Sequence, residues 1–134
     1  MKRILLARHG ECDMNLHLST TIGGQSNASP LTPLGVRQAE DLGAYLANLQ
    51  RTANAPLVGA VHASTAVRAR DTARVVMRAL AIPEDRLQLS ERLLELDQGE
   101  WEGAVCTGQE VYFPSRNCSF SPLSLFAIVP AHYE

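Results

Sequence analysis

The chain has 134 residues, of which 46% are hydrophobic and 19% are charged, and its formal net charge is −2. These values are typical of one globular domain, exclude a disordered chain and give no electrostatic footprint for nucleic acid. The three cysteines match neither a disulfide framework nor a zinc-binding spacing, which favours a reducing compartment, and no apolar run approaches membrane-spanning length. We therefore expect a cytoplasmic protein that binds neither nucleic acid nor membranes.

A strand and a helix are predicted at the start of the chain. Residues 4–7 form a short apolar run, which is typical of a strand buried on both faces. After a loop rich in serine, glycine and asparagine, Thr32 and Pro33 fit a helix N-cap followed by proline at the first helical position. The core face of this helix is predicted from apolar residues at helical spacing: Leu42, Tyr45, Leu46 and Leu49.

The same alternation continues through two further strands. Residues 57–61 predict a second buried strand, and Ser64 or Thr65 is expected to cap the helix that follows. Residues 87–89 predict a third strand, and residues 93–103, the acidic loop, come after it. The inner stripe of the second helix is apolar: Ala69, Ala73, Val76 and Leu80. This order of strands and helices predicts an α/β sandwich with a largely parallel sheet.

Residues 104–134 have a different composition from the rest. They hold only three of the 26 charged residues (12 basic and 14 acidic in the chain) but five of the seven aromatic residues, and within them residues 123–129 suit one strand. We therefore divide the single domain into a core, residues 1–103, and a divergent tail, residues 104–134, and expect the fold to be incomplete at its C-terminal end.

Our hypothesis for the change in composition after residue 103 is an alternative exon, a frameshift or a truncated paralogue. Mass identification of the C-terminal peptide beside its transcript tests it, and an unbroken family-like reading frame would remove it.

Ionisable residues cluster where the predicted strands end. Arg8 and His9 follow the first strand, Arg68 lies in the first turn of the second helix, and Glu95 lies in the acidic loop. In a parallel α/β sheet, ligands bind at the carboxyl ends of the strands. A neutral histidine is a nucleophile towards phosphorus, and a neighbouring arginine both favours the neutral ring and binds phosphate oxygens. The pattern therefore predicts phosphoryl transfer, with a nucleophile, two charge clamps and a proton donor.

Four segments, in this order, resemble the motifs of the histidine phosphatase superfamily, which includes cofactor-dependent phosphoglycerate mutases and many phosphomonoesterases. LLARHGECDMN resembles its RHGE-type motif, and SPLTPLGVRQAEDLGAYL resembles its PLT-x-x-G-x-x-QA helix. HASTAVRARDTARVV resembles its S-x-x-x-R-A-x-x-TA helix, and LLELDQGEWEG resembles its acidic loop. The resemblance covers residues 4–103 and implies a three-layer α/β/α sandwich of the phosphoglycerate mutase type.

The resemblance also implies a role for individual residues. His9 resembles the nucleophile that becomes phosphohistidine, and Glu95 resembles the carboxylate that protonates the leaving alcohol and later activates water. Arg8 and Arg68 resemble the phosphate clamps, and Asn15 resembles the amide that contacts the same phosphate. The implied partner is a small phosphorylated substrate, no metal or organic cofactor is implied, and a homodimer is left open.

The second histidine of the family, which follows a later strand and completes the charge clamp, is not recognisable in this sequence. His132 follows an apolar run, but a proline interrupts its approach and a tyrosine stands where the family has glycine. His62, near the end of the second predicted strand, is the other candidate close to the pocket. If neither histidine completes the charge clamp, the site lacks one hydrogen-bond donor to the phosphate, and loss of one donor of this kind costs on the order of a hundredfold in rate.

Three functions therefore stay open. The first is a phosphomonoester phosphatase that acts through phosphohistidine at His9. The second is a phosphoglycerate mutase-like phosphotransferase, although a short loop at residues 23–30 and the lack of a long insertion after Arg68 favour the phosphatase. The third is a catalytically weak or silent variant that keeps an anion cradle without turnover, or a chain too incomplete to function by itself.

Overall fold

The computed structural model describes residues 4–16, 23–25, 29–54, 58–102 and 125–129. The strands are β1 (Leu5–Arg8), β2 (Ala60–Ser64), β3 (Leu87–Ser90) and β4 (Leu125–Val129), and the helices are α1 (Asp13–Leu16), α2 (Pro33–Ala53) and α3 (Val67–Ala79). Short 3-10 turns lie at Glu84–Arg86, Glu91–Leu93 and Gly99–Trp101. In this part of the chain, no helix combines the length and the apolar character needed to cross a membrane.

The four strands form one sheet in the order β1-β4-β2-β3. β2 and β3 are parallel, whereas β4 is antiparallel to both of its neighbours, so β1, β2 and β3 all run in the same direction. In register, Arg8 pairs with Leu125 and Ala63 pairs with Phe126. β1 and β2 therefore end at the same edge of the sheet, and the predicted α/β fold with a parallel sheet is confirmed.

β4 confirms the strand predicted in the divergent tail and shows where that strand goes. It lies between β1 and β2, and its last residue, Val129, pairs with Ala60 at the start of β2. β4 therefore ends at the edge of the sheet opposite to the edge where Arg8 lies. His132, three residues further along the chain, lies outside the described residues.

Helix α2 begins as the sequence predicts. Thr32 is the N-cap, its Oγ1 accepts the Gly35 backbone N–H at 3.0 Å, and Pro33 is the first helical residue. The helix ends at Asn54, whose φ of 49° is the left-handed conformation common after helix C-termini.

The predicted core face of α2 is partly wrong. Leu46 is buried and Leu42 packs against the core, but Tyr45 is 60% exposed and Leu49 is 37% exposed. The buried stripe consists mainly of small residues: Gly35, Ala39, Gly43 and Leu46. At Gly43 the backbone lies so close to Ala79 that an added Cβ would approach the Ala79 Cβ within 2.6 Å. The helices approach most closely through small side chains, and this turns the larger apolar residues of α2 away.

Helix α3 confirms its predicted inner stripe, because Ala69, Ala73, Val76 and Leu80 are all buried. This stripe packs against the β2 side chains that face it in the core, Val61 and Ala63. The predicted side-chain cap is wrong, since the N-cap residue is Ala66 and it makes no side-chain cap. The Ser64 hydroxyl instead accepts the Ala66 backbone N–H at 3.1 Å, one turn earlier than a cap would.

The prediction that the first strand is buried on both faces is also wrong. Leu6 is 65% exposed and Leu5 is 38% exposed, although Ala7 packs against the core. β1 lies at the edge of the described sheet, and α2 and α3 cover only the sheet face that carries Ala7 and Ala63. An edge position and a face without a described helix explain why an apolar run is exposed here.

Candidate active site

The turn after β1 carries His9 and is held by both long helices. The Gly10 backbone N–H donates to Thr72 Oγ1 of α3 at 3.0 Å, and the Thr72 hydroxyl in turn donates to the Arg68 carbonyl at 2.7 Å. The Glu11 backbone N–H donates to Gln38 Oε1 of α2 at 2.8 Å. The backbone on the C-terminal side of His9 is therefore fixed relative to the N-terminal turns of α2 and α3.

Two glycines allow this turn to pack directly on α2. A Cβ on Gly10 would collide with the Gly35 carbonyl, and a Cβ on Gly35 would collide with the Glu11 carbonyl. The Thr32 hydroxyl, which caps the helix, also donates to Glu11 Oε1 at 2.7 Å. The two glycines of the motifs thus serve close backbone approach.

His9 is held as a neutral imidazole with one defined tautomer. Its ring is 6% exposed, and its Nδ1 lies 2.6 Å from the Gly10 carbonyl oxygen. Because a carbonyl oxygen only accepts, Nδ1 carries the proton and Nε2 keeps its lone pair. Burial lowers the pKa of His9 to about 4, with Arg68 and Arg8 acting in the same direction and the Gly10 bond opposing them. At neutral pH, Nε2 is therefore an unprotonated nitrogen in the site.

Arg68, which is buried, and Glu95, which is partly buried, form an ion pair beside His9. Arg68 is 3% exposed, and its Nη2 donates to Glu95 Oε2 at 3.2 Å and to the Gly24 carbonyl at 2.9 Å. Burial raises the pKa of Glu95 although Arg68 and Arg8 act against it. Arg8 itself is exposed at the end of β1, and its charge reaches both His9 and Glu95. The structure thus brings together the four charged or titratable residues that the sequence places at the strand ends.

Asn15 lies in α1, next to the His9 turn. Its Oδ1 accepts the Cys12 backbone N–H at 2.9 Å and the Cys12 Sγ–H at 3.2 Å. Since the oxygen is used inside the turn, the Nδ2 group, which is the donor of the amide, is the part of Asn15 suited to a phosphate oxygen. Cys12 is 1% exposed and packs beneath this turn.

Of the two candidates for the second histidine, the structure describes His62 alone, and it does not place His62 against His9. His62 pairs in register with Gln88 in the middle of the sheet, and it alternates with Val61 and Ala63, whose side chains face the helices. The His62 side chain therefore lies on the opposite face of the sheet. His132 lies outside the described residues. Among residues with a described placement, no group of three or more His, Cys, Asp or Glu side chains is arranged to hold a metal ion.

Several residues of the site received no role from sequence alone. Gln38 and Thr72 occupy fixed positions of the two family helix motifs, so the motifs alone could have indicated that these side chains matter. Their partners could not be predicted, because the backbone groups that they bind lie 27 and 62 residues away in the chain. Gln25 and Glu102 link two loops that flank Arg68, at a separation of 77 residues. No local pattern marks Gln25.

The comparison with known families agrees with this geometry. Residues 4–116 match the family model described as histidine phosphatase superfamily (branch 1). The chain belongs to the histidine phosphatase superfamily. The family resemblance of its four motifs is thereby confirmed.

Individual relatives of this chain are known in sequence and in structure. It is 32% identical over 101 residues to the fructose-2,6-bisphosphatase TIGAR of Xenopus laevis, a match that covers 75% of this chain and 34% of the relative. It superposes on a mycobacterial glucosyl-3-phosphoglycerate phosphatase with a TM-score of 0.61 and 28% identity, covering 78% of this chain and 44% of that one. It also superposes on a phosphoglycerate mutase from Bacillus anthracis with a TM-score of 0.60 and 25% identity, covering 76% of this chain and 42% of that one. The chain spans about a third of the curated relative and less than half of these structures.

Proposed function

We propose that this histidine phosphatase hydrolyses a small phosphomonoester through a phosphohistidine at His9. The observation that carries the proposal is a buried, neutral His9 with an unprotonated Nε2, next to the charges of Arg8 and Arg68 and a carboxyl group, Glu95, whose pKa is raised. These are the parts that phosphoryl transfer requires: a nucleophile, cations for the phosphate oxygens and a proton donor.

In the first step, Nε2 of His9 attacks phosphorus and the bond between phosphorus and the ester oxygen breaks. Glu95 reacts in its protonated form, which its raised pKa makes more accessible, and gives its proton to the departing oxygen, so that an alcohol leaves instead of an alkoxide. The Nδ1–H bond to the Gly10 carbonyl keeps the ring oriented and supports the positive charge that develops on the imidazole. Arg8, Arg68 and the Asn15 amide hold the phosphate oxygens.

In the second step, water attacks the phosphohistidine. Glu95, now ionised, takes a proton from this water as the bond between Nε2 and phosphorus breaks. Inorganic phosphate leaves, and both His9 and Glu95 return to their starting protonation states. Arg68 contacts Glu95 in the resting site, so its guanidinium orients the carboxylate while its positive charge attracts the phosphate.

A mutase-like transfer is the second candidate, because the fold also superposes on a phosphoglycerate mutase. A mutase would return the phosphoryl group to an acceptor hydroxyl and not to water. The two relatives named as phosphatases, one acting on a sugar bisphosphate and one on a glucosyl phosphoglycerate, favour hydrolysis and a small phosphorylated metabolite as substrate. Release of free phosphate, measured with and without an alcohol acceptor, separates the two reactions.

The test uses two substrates that differ in their need for a proton. An alkyl phosphate requires protonation of its leaving oxygen, whereas a nitrophenyl phosphate leaves as a stable anion. We expect Glu95→Gln to slow phosphoenzyme formation from the alkyl phosphate by about 10²–10⁴-fold and to slow phosphoenzyme formation from the aryl ester much less. Equal losses with both substrates would contradict the role of Glu95 as proton donor.

A silent anion-binding variant remains the outcome if neither ester is hydrolysed. In that case inorganic phosphate should still raise the midpoint of thermal unfolding, because a ligand bound only by the native state stabilises it. The Arg68→Gln variant should lose this stabilisation. Absence of both hydrolysis and phosphate-dependent stabilisation would refute the proposed site altogether.

A further inference from the structure

Glu102 joins two loops that lie far apart in the sequence. Its Oε1 accepts the Gln25 backbone N–H at 2.6 Å and the Gln98 backbone N–H at 3.3 Å. One carboxylate oxygen thus connects residues 23–25, the glycine segment, with the acidic loop. Hydrogen bonds from backbone N–H groups to a carboxylate are charge-assisted and stronger than neutral ones.

The glycine segment also contacts both members of the ion pair between Arg68 and Glu95. The Gly24 carbonyl accepts from Arg68 Nη2 at 2.9 Å, and Gln25 Nε2 donates to the Glu95 carbonyl at 2.9 Å. Arg68 and Glu95 are in turn joined to each other at 3.2 Å. The glycine segment, Arg68 and the acidic loop therefore form a closed ring of contacts, in which Glu102 joins the glycine segment to the acidic loop.

The backbone of Gly24 is adapted to this arrangement. Its φ of +126° is accessible to glycine and strained for other residues, and a Cβ at this position would collide with the Glu102 carboxylate. The carboxylate of Glu102 thus packs directly on the glycine backbone. A merely solvated loop carboxylate would not require a glycine opposite it.

We propose that Glu102 is a positioning residue, whose carboxylate holds the glycine segment against the acidic loop so that Glu95 and Arg68 keep one geometry. The inference rests on the role proposed above for Glu95, and Glu102 acts through Glu95 and Arg68 without touching substrate. It gives a function to a carboxylate that the phosphoryl-transfer steps themselves do not use.

The negative charge of Glu102 has a second, electrostatic effect. The pKa of Glu95 is raised mainly by burial, lowered by Arg68 and Arg8, and raised further by the charge of Glu102. These are the charged groups that face Glu95 from α3, from β1 and from its own loop. Removing the charge of Glu102 should therefore lower the pKa of Glu95, whereas a general loss of folded protein would not.

Two variants of Glu102 and one control separate the positioning effect of its carboxylate from the effect of its negative charge. Glu102→Gln keeps an oxygen that can accept from Gln25 and Gln98 but removes the charge, whereas Glu102→Ala removes both. Glu100→Ala is the matched control, because Glu100 is an exposed glutamate in the same loop. The first readout needs no turnover: a carbon-13 NMR titration of Glu95, assigned with Glu95→Gln, and hydrogen exchange at the Gln25 amide.

We expect the titration of Glu95 to move to lower pH in Glu102→Gln and Glu102→Ala, and to stay unchanged in Glu100→Ala. Exchange at the Gln25 amide should accelerate in Glu102→Ala and remain slow in Glu102→Gln. An unchanged Glu95 titration together with unchanged Gln25 exchange in Glu102→Ala would overturn the inference. If the alanine variant does not fold, Glu102→Asp replaces it: the shorter side chain keeps the charge but withdraws the carboxylate from the Gln25 amide, whose exchange should accelerate.

The second readout is the rate of phosphoenzyme formation from the two esters, because the later attack of water also uses Glu95 and is common to both. Small displacements of a catalytic group cost up to about 10²-fold in rate. We expect a loss of this order in phosphoenzyme formation from the alkyl phosphate in Glu102→Ala, a smaller loss from the aryl phosphate, and substantial recovery in Glu102→Gln. Equal loss with both esters would mean a merely structural role. If the unmutated protein hydrolyses neither ester, the proposed function fails, while the positioning inference is still decided by the NMR readout.

Discussion

Burial of a neutral His9 makes a specific prediction about stability at acid pH. The pKa of His9 falls from the ordinary 6.5 to about 4 in the folded chain. Between these two values the unfolded chain binds a proton that the folded chain does not, so stability falls as the pH is lowered through this window. From pH 7 to pH 5, a shift of this size amounts to about 2 kcal/mol of unfolding free energy.

The assay compares the protein with His9→Gln, which keeps a polar side chain but does not titrate. Urea unfolding followed by circular dichroism at pH 7 and pH 5 gives the free energy of each protein. We expect the unmutated protein to lose about 2 kcal/mol more than the variant between the two pH values. All other titrating groups are common to both proteins, so the difference reports His9 alone.

An equal loss of free energy in both proteins would refute the reasoning. It would mean that the imidazole accepts a proton in the folded state as easily as in the unfolded chain. A proton NMR titration of the histidine ring signals checks the same point directly, since one ring that His9→Gln removes should titrate near pH 4 and not near 6.5.

Three further outcomes follow from the contacts around the site. Gly35→Ala places a Cβ against the Glu11 carbonyl and should destabilise the fold by about 1–3 kcal/mol in thermal unfolding; an unchanged midpoint would contradict the close approach. Thr72→Val leaves the buried Gly10 N–H without its acceptor and should cost about 1–3 kcal/mol, whereas Thr72→Ser should retain most of the stability. His62→Ala should leave the hydrolysis rate unchanged, because the His62 side chain lies on the sheet face opposite to the helices, and a large loss of rate would show that His62 serves the site.

Local sequence patterns predicted those elements whose determinants are themselves local. Thr32 and Pro33 mark the start of α2 because capping and proline geometry act within one turn. The apolar stripe of α3 predicted its buried face because that helix packs over β2 along its whole inner side. The charged residues at the ends of β1 and β2 meet because strands of the same direction end at the same edge.

Other features depend on partners that no local pattern contains. Tyr45 and Leu49 fit a helical stripe, yet the contact with Ala79 at Gly43 turns a stripe of small residues inward. The apolar residues of β1 indicated burial, but exposure depends on which strand lies beside it and on what covers each face. Neither the antiparallel insertion of β4 nor the contacts of Glu102 with Gln25 follows from periodicity, because both join segments far apart in the chain.

Trapping the phosphoenzyme tests the central claim most directly. The protein is incubated with a labelled small phosphomonoester and quenched at alkaline pH, and the labelled residue is located by mass spectrometry. We expect the label on His9 of the unmutated protein and no label in His9→Ala, with circular dichroism confirming that both are folded. Hydrolysis without label on His9, or label that persists in His9→Ala, would contradict the phosphohistidine mechanism.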